Sequence, residues 1–582
     1  MKATKFIQFV MALTALIGIG GNTIVNAQSL QWAKAISGID SERSNSISTD
    51  EAGNVYITGS FTLTTDFDPD SSGTFNLTHS TGYSADIFIC KLDASGNFVW
   101  AKAMGGSSND YGYSITTDAA GNVYTTGYFQ GTADFDPGTG TFNLTSAGGY
   151  EVFISKLDAS GNFVWAKAIG GTADDRGNSI ATDEAGNIYT TGFFSGKVDF
   201  DPGANSFNLT SSGNYYDIFI SKLDASGNFV WAKAMGGTDY DEGFSIATDA
   251  SGNVYTTGHF YGTADFDPGT ASFNLTSVGG YDVFISKLDA SGNFSWAKAM
   301  GSTSHDLGNS IAIDAAGNVY TTGHFYGTAD FDPGTASFNL TSIGATDIFI
   351  SKLNTSGNFV WAKAMGGKSD DFGFSIATNA AGSVYATGMF SDTVDFDLGA
   401  GTFNLSSIGY YDVFISKLDT SGNFSWAKAM GGTYYDYGMS IATDASENVY
   451  TTGYFFETVD FDPDAGIFNL SSAAAEDIFV QKMGQNLTTG INNTADEGRN
   501  AVTIYPNPST GKVTMASTAG SINKIEIYNA LGEQIQKLGI GSWQPVNNKE
   551  LSIDFSALPA GIYFLQINTK QGSTNQKLII QK

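Results

Sequence analysis

Two series of carboxylates recur along this chain, and both stand where oxygen ligands or a charged ring could do chemistry. The first is an Asp-Phe-Asp element found seven times. Its leading acids are Asp66, Asp134, Asp199, Asp265, Asp330, Asp395 and Asp460, and its second acids are Asp68, Asp136, Asp201, Asp267, Asp332, Asp397 and Asp462. Carboxylates two apart could offer hard oxygen ligands to Ca²⁺, although the bidentate Glu of an EF-type loop is missing. In an extended segment both acids share one side and the Phe takes the other. The competing reading therefore sends the Phe into a core and leaves the acids to shape a turn. The second series is Glu42, Asp110, Asp175, Asp241, Asp306, Asp371 and Asp436. Acids at one fixed offset in every copy would ring one mouth of a channel and concentrate cations. The alternative is a set of loop caps that accept backbone amides.

Beside the second series the residues vary from copy to copy: Arg43, Tyr111, Arg176, Glu242, Leu307, Phe372 and Tyr437. Loops on a rigid scaffold are where specificity usually sits. Tyr240, Tyr434 and Tyr435 lie close by in sequence and could stack on sugar or peptide. A mixed acidic and aromatic funnel is therefore the expected binding site. Catalysis has little to stand on. Of the histidines, His79, His259, His305 and His324, only His305 neighbours an acid, Asp306, in a way that resembles a general base. His259 and His324 occupy the position of Tyr128 and Tyr454 in other copies. No phosphate loop, nucleophile elbow or zinc spacing accompanies them. Almost every polar residue repeats sevenfold, as scaffolds do, so a non-enzymatic binding role is expected and no residue is assigned to catalysis. The runner-up is a polysaccharide-active enzyme using His305 and Asp306, and a third reading is a calcium-stabilised surface protein. The single cysteine, Cys90, stands where other copies have Ser155 or Ser286, which fits a buried strand residue. It permits no intrachain disulfide.

The elements that must position these residues are set by repetition. The Trp-Ala-Lys-Ala tryptophans fall at 32, 100, 165, 231, 296, 361 and 426, a period near 65 residues. Each copy carries four strand-like runs. In one copy these are Ser245–Asp249, Val254–Phe260, Asp282–Leu288 and Phe294–Met300, with Ser-Gly-Asn turns closing two of the connections. Four antiparallel strands repeated seven times predict an all-β fold, a seven-bladed β-propeller. The period exceeds the roughly 40–50 residues of common blades. The excess lies between the second and third strands and predicts a long loop, with room for a short hairpin. The array opens on an outer strand, residues 30–36, and its last copy lacks one, so the N-terminal strand is expected to complete the final blade. Closure of that kind leaves few free strand edges.

These motifs, Ser-Ile-x-Thr-Asp-x-x-Gly-Asn-Val-Tyr-x-Thr-Gly-x-Phe with Asp-x-Phe-Ile-Ser-Lys-Leu and Trp-Ala-Lys-Ala, resemble the bacterial SBBP β-propeller repeat. The resemblance covers residues 28–483 and implies that the Ser-Ile-Ala-Thr-Asp strand lines the channel while the Trp-Ala-Lys-Ala strand is outermost.

The ends read differently. Residues 1–27 have a basic start, an apolar run and Val25-Asn26-Ala27, which predict a cleaved secretory signal. The apolar run is short for a membrane span, and no later segment is apolar enough for one. The formal net charge is −30, which argues against nucleic acid or an anionic membrane as partner. Residues 484–501 are polar and lack alternation, as linkers do. Residues 502–582 carry strand-like runs and a net charge of +3, and an Ig-like β-sandwich is the natural expectation. Here Tyr505, Pro506, Asn507, Pro508 and Gly511, then Gly561 and Tyr563, then Lys577 through the terminal Lys582 resemble the type A C-terminal sorting domain of the type IX secretion system of Bacteroidetes. That resemblance implies export by the type IX machinery to the surface or beyond it. The extracellular ligand, protein or glycan, is not named by the sequence.

Overall fold

Each blade begins with a hairpin whose turn is built by one aspartate, or by Asn379 in the sixth blade. In the fourth copy Asp249 Oδ1 accepts the backbone N–H of Ser251 (2.9 Å) and of Asn253 (3.0 Å), and Oδ2 accepts Asn253 Nδ2–H (2.7 Å). Gly252 closes the turn at φ +74°, a left-handed conformation that a Cβ disfavours. Tyr255 on the next strand donates its hydroxyl to the same carboxylate (3.0 Å), which ties turn to strand. The computed structural model describes residues 28–485, apart from 71–72, 80–83, 398, 400 and 465. It also describes residues 502–581, apart from 506, 508, 518–521, 529–533, 540–549, 560 and 570–571. The expected signal at 1–27 and the linker from residue 486 onward lie outside the described residues, as do Pro506, Pro508 and Lys582 of the sorting motif.

Seven antiparallel four-stranded units follow from the repeat. Blade 1 is Glu42–Thr49, Val55–Phe61, Asp86–Leu92 and Phe98–Gly106. Blade 2 is Tyr111–Thr117, Val123–Phe129, Glu151–Leu157 and Phe163–Ile169. Blade 3 is Arg176–Thr182, Ile188–Ser195, Tyr216–Leu223 and Phe229–Gly237. Blade 4 is Asp241–Thr248, Val254–Phe260, Asp282–Leu288 and Phe294–Met300. Blade 5 is Leu307–Ile313, Val319–Asp330, Asn339–Leu353 and Phe359–Met365. Blade 6 is Phe372–Thr378, Val384–Phe390, Asp412–Leu418 and Phe424–Met430. Blade 7 is Tyr437–Thr443, Val449–Asp460 and Asn469–Gln485, and its outer strand is the N-terminal Gln28–Gly38, paired antiparallel from Trp32↔Lys482 to Ile36↔Ile478.

The inner strands close a ring through one repeated bond. Ser46 Oγ accepts the N–H of Ile115 in the next blade, and the same bond recurs at each junction until Ser440 accepts from Ile47, each at 3.2 Å. The Ser-Ile dipeptide of the repeat is thus an inter-blade bond. The long segment between second and third strands is not a free loop. It folds into a two-stranded hairpin, such as Thr263–Asp265 with Asn274–Thr276, that pairs with the end of the outer strand of the preceding blade, Gly236↔Asp265 and Gly237↔Ala264. The same clasp joins blade 7 to blade 1 through Ser37↔Asp66. Every core cluster of the propeller lies between two adjacent blades, for instance Tyr189, Ile218 and Ile220 of blade 3 with Ile246, Phe260 and Phe284 of blade 4. Burying each such aromatic is worth about 2–3 kcal/mol, so the junctions carry the stability.

Residues 502–581 form two sheets. One contains Val502–Tyr505, Lys512–Ser517 and Glu550–Asp554, and the other Gln534–Gly539, Ile522–Tyr528, Gly561–Thr569 and Gly572–Ile580. Val513 and Met515 of the first pack with Ile525, Leu565, Ile567 and Leu578 of the second. This is the expected sandwich. No helix among the described residues is long and apolar enough to cross a membrane.

Candidate functional site: one end of the propeller channel

The expected ring of solvated carboxylates does not exist. Glu42, Asp110, Asp175, Asp241, Asp306, Asp371 and Asp436 are all 0% exposed. Each holds two loops together by accepting hydrogen bonds. Asp241 Oδ2 takes the N–H of Gly237 (2.6 Å) and Oδ1 that of Tyr261 (3.2 Å). The same two bonds recur at Asp110, Asp175, Asp306, Asp371 and Asp436. Glu42 accepts from Thr65 Oγ1 (2.9 Å). These acids are clasps for the inter-blade hairpin, which is why their offset never varies.

Each clasp faces a second buried acid that sequence reading passed over: Asp86, Glu151, Asp217, Asp282, Asp347, Asp412 or Asp477, at or near the start of the third strand in blades 1–4 and 6 and midway along the longer third strands of blades 5 and 7. Gly236 leaves room for the pair, because a Cβ there would sit 2.7 Å from Asp217 Cγ and 3.0 Å from Asp241 Oδ2. Asp217 Oδ2 accepts Ser212 N–H (2.8 Å), whereas Oδ1 has no protein partner among the described residues. Burial, then the neighbouring acid, pushes Asp241 up to about 8, and burial pushes Asp217 up to about 7, because the charged form loses hydration there.

The Asp-Phe-Asp acids are turn formers. Asp265 Oδ1 accepts the N–H of Asp267 (3.0 Å) and of Phe273 (2.8 Å), and Asp267 Oδ1 that of Gly269 (2.8 Å). The pattern repeats for Asp66/Asp68, Asp134/Asp136, Asp199/Asp201, Asp330/Asp332, Asp395/Asp397 and Asp460/Asp462. Phe67, Phe135, Phe200, Phe266, Phe331, Phe396 and Phe461 between them are buried. Backbone donors occupy one oxygen of each acid, as the turn-forming alternative expects, and among the described residues no three His, Cys, Asp or Glu side chains gather as a metal site. The His305–Asp306 pair is likewise not assembled. His305 Nδ1 accepts the N–H of Tyr281 (3.2 Å), while Asp306 is spent on Ser302 and Tyr326. His259 and His324 are tucked among neighbouring rings, and burial lowers them to about 3 and about 4.

What this end of the molecule does present is aromatic. Tyr240 (37% exposed) packs on Tyr215 and Tyr216, with ring centroids 4.3 and 5.4 Å apart. Tyr435 stacks on Tyr410 at 4.8 Å with 7° between planes, and Tyr434 is exposed beside it. Tyr111, Tyr113, Tyr128 and Tyr150 form one cluster, with Tyr128–Tyr150 at 4.4 Å. Tyr281 joins His259, Tyr261 and His305 in another. Next to it a depression of about 600 Å³ is lined by Tyr261, Thr303, His305, His324 and Tyr326. Of these rings sequence reading singled out Tyr240, Tyr434 and Tyr435 as binders. Several of the others come from the residue before each third-strand acid (Ala85, Tyr150, Tyr216, Tyr281, Thr346, Tyr411, Glu476) and from a second-strand position (Ser60, Tyr128, Phe193, His259, His324, Met389, Tyr454). Aligning the copies and asking which columns vary would have found them.

Arginine is rare here: of three in the chain, Arg43 and Arg176 occupy the same inner-strand position in blades 1 and 3. Both stack on the equivalent tyrosine of the preceding blade, Arg43 over Tyr454 (5.1 Å) and Arg176 over Tyr128 (5.0 Å). Arg43 also pairs with Glu476 at 2.6 Å.

In the C-terminal unit the sorting-motif residues converge. Asn507 donates Nδ2–H to the carbonyl of Lys577 (2.6 Å) and accepts the N–H of Ile579 (2.8 Å), bracing the last strand. Gly561 pairs with Ile580, and the Tyr563 hydroxyl donates to the carbonyl of Pro559 (2.8 Å). Gly511 sits at φ +126° against Ser556, and Tyr505 stays exposed.

Comparison with known proteins agrees with this architecture. Residues 99–131 and 164–192 match the β-propeller repeat family SBBP, and residues 503–581 match the secretion system C-terminal sorting domain. An uncharacterized WD repeat-containing protein, L264, of Acanthamoeba polyphaga mimivirus is 24% identical over 435 residues, covering 61% of this chain and 31% of its own. The regulatory protein FlaEY of Caulobacter vibrioides is 25% identical over 283 residues, covering 46% of this chain and 28% of its own. The chain thus spans about a third of the length of these curated relatives. Among solved structures, Sqt1 from Chaetomium thermophilum aligns over 78% of this chain and 99% of its own at 11% identity and a TM-score of 0.33. Together with the closed ring of blades, these matches show that the chain carries β-propeller repeats of the SBBP type and, over residues 503–581, a secretion system C-terminal sorting domain.

Proposed function

We propose that the propeller is a non-enzymatic binding protein of the cell exterior, and that its ligand is a saccharide docked on the aromatic end of the channel. The sorting domain implies export by the type IX machinery, to the surface or into the medium. The observation that carries the binding reading is an asymmetry. The interior repeats sevenfold, while the side chains at one end vary among the blades, with tyrosine the commonest of them. Tyrosine offers a flat apolar face and a hydroxyl at small entropic cost, which suits the mixed surface of a sugar ring. The inner strand edges are sealed to one another by the Ser–Ile bonds, so an extended peptide finds no edge to extend there. Catalysis at His305 loses support because its Nδ1 and the Asp306 carboxylate already serve the backbone.

The test is a glycan array probed with the full chain and with Tyr240→Ala and Tyr435→Ala. Truncating an anchoring aromatic should cost about tenfold or more in affinity for the retained glycans. His305→Ala should bind as the parent does. A folded chain that retains no glycan, or tyrosine variants that bind unchanged, would sink the reading. Glycan turnover lost in His305→Ala would move it to the hydrolase.

A further inference from the structure

Resting on that reading of the channel end, we infer that Arg176 is the anchor for a carboxylate on the ligand, so that the saccharide recognised is an acidic one carrying a hexuronate unit. The argument is a comparison of two copies of one site. At the junction of blades 7 and 1, Arg43 lies over Tyr454 and its guanidinium meets the carboxylate of Glu476. At the junction of blades 2 and 3, Arg176 lies over Tyr128 in the same way, but the position of Glu476 is held by Tyr150. The carboxylate that completes the first site is absent from the second.

Arg176 also lies over more rings than Arg43 does. Its guanidinium carbon lies 5.3 Å from the ring centroid of Tyr113, 5.0 Å from that of Tyr128 and 5.4 Å from that of Phe193. Among the described residues no ion pair includes it, and its buried Nε meets no acceptor. The residue is half-buried, which leaves the Nη end as its accessible part. Glu242 is an acid whose charge is felt there, but it forms no ion pair with Arg176 among the described residues. A planar, always-charged fork held on aromatic faces with its donors unspent is built for bidentate carboxylate recognition. Tyr150, 4.4 Å from Tyr128, then supplies a ring face and a hydroxyl where the sugar ring of that carboxylate would lie.

The overall charge narrows the ligand. At −30 the protein repels a densely charged polyanion. A single uronate set among neutral sugars keeps the contact and avoids most of that repulsion.

The experiment is calorimetric titration of the full chain with a tetrasaccharide of one glucuronate and three neutral hexoses. The control is the same tetrasaccharide with its carboxyl reduced to the alcohol. The acid form should bind at least about tenfold more tightly, the usual worth of a charge-assisted bond. Arg176→Gln should erase that difference. Arg176→Lys should lose most of it, because the fork and the stack go with the guanidinium. Arg43→Gln, already paired within the protein, should keep it. Equal binding of acid and alcohol, or an unchanged preference in Arg176→Gln, overturns this inference and leaves the saccharide reading standing. Binding of neither form, together with an empty glycan array, fails both. A glutamate peptide held as tightly through Arg176 overturns the choice of a saccharide.

Discussion

At the residue scale, chemistry here is decided by what each polar atom is already bonded to. The repeated acids look like ligands in one dimension and are hydrogen-bond acceptors in three. Asp265 binds two backbone amides and Asp241 binds two more. Cys90 is the same lesson for a thiol. It is 0% exposed on the third strand of blade 1, among Ile57, Phe88 and Ala101, and burial pushes its pKa well up. Iodoacetamide should therefore leave the native chain unmodified for hours and label it within minutes in denaturant. Labelling at equal rates would show that blade 1 opens readily.

At the element scale the inter-blade hairpin is the feature that makes this propeller depart from a plain one, and its clasp carries a pH signature. Glu42 is pushed up to about 8, Asp110, Asp175, Asp371 and Asp436 to about 7, and their partners Asp347 and Asp412 to about 6, burial being the first cause in every case. A carboxyl whose folded pKa lies above its unfolded value, near 4, binds its proton more tightly in the folded state. Its stabilisation is complete below the unfolded value and is lost as pH rises through the folded one. The hairpin-turn acids Asp50, Asp118, Asp183, Asp249 and Asp314 shift the other way, through bonds from Asn and Tyr that outweigh burial, and contribute their stability above pH 4. Between about pH 5 and 8 the clasp acids titrate, so the melting temperature should fall by several degrees across that window. Asp217→Asn replaces the acid facing Asp241 with an uncharged amide. It should raise stability at pH 8 by about 1 kcal/mol and flatten part of the pH slope, both read by calorimetry. A melting temperature that rises from pH 5 to pH 8 would contradict the pairing.

At the scale of the whole molecule the ring is closed by a strand from the opposite end of the chain. Gln28–Gly38 pairs with Asn469–Gln485, and the clasp and the Ser440–Ile47 bond complete the same junction. Removing residues 28–38 would expose a long strand edge in blade 7. That variant should elute as dimers and larger species in size-exclusion chromatography. A synthetic peptide of residues 28–38 added during refolding should restore the monomer. A monomeric, fully stable truncation would mean that the other six junctions hold the ring unaided.

The repeat period, the Gly-Asn turns and the incomplete copies at both ends were enough to read seven blades, their strand order and the closing strand. That information is local and is written seven times, so noise in one copy cannot hide it. The C-terminal sandwich was legible for a related reason, since its motif residues are the braces of its own last strand, as Asn507 shows. What the carboxylates do was not legible. A fixed offset says that an acid is needed, but only the placement of Gly236, Asp217 and the neighbouring hairpin shows Asp241 to be a buried clasp. The binding face was half legible: Tyr240, Tyr434 and Tyr435 stood out, whereas the cage around Arg176 joins residues 113, 128, 150, 176 and 193 from two blades. Whether an arginine there is paired depends on one side chain supplied by the preceding blade, Glu476 for Arg43 and Tyr150 for Arg176. Chain order does not place those side chains side by side; the packing of one blade against the next does.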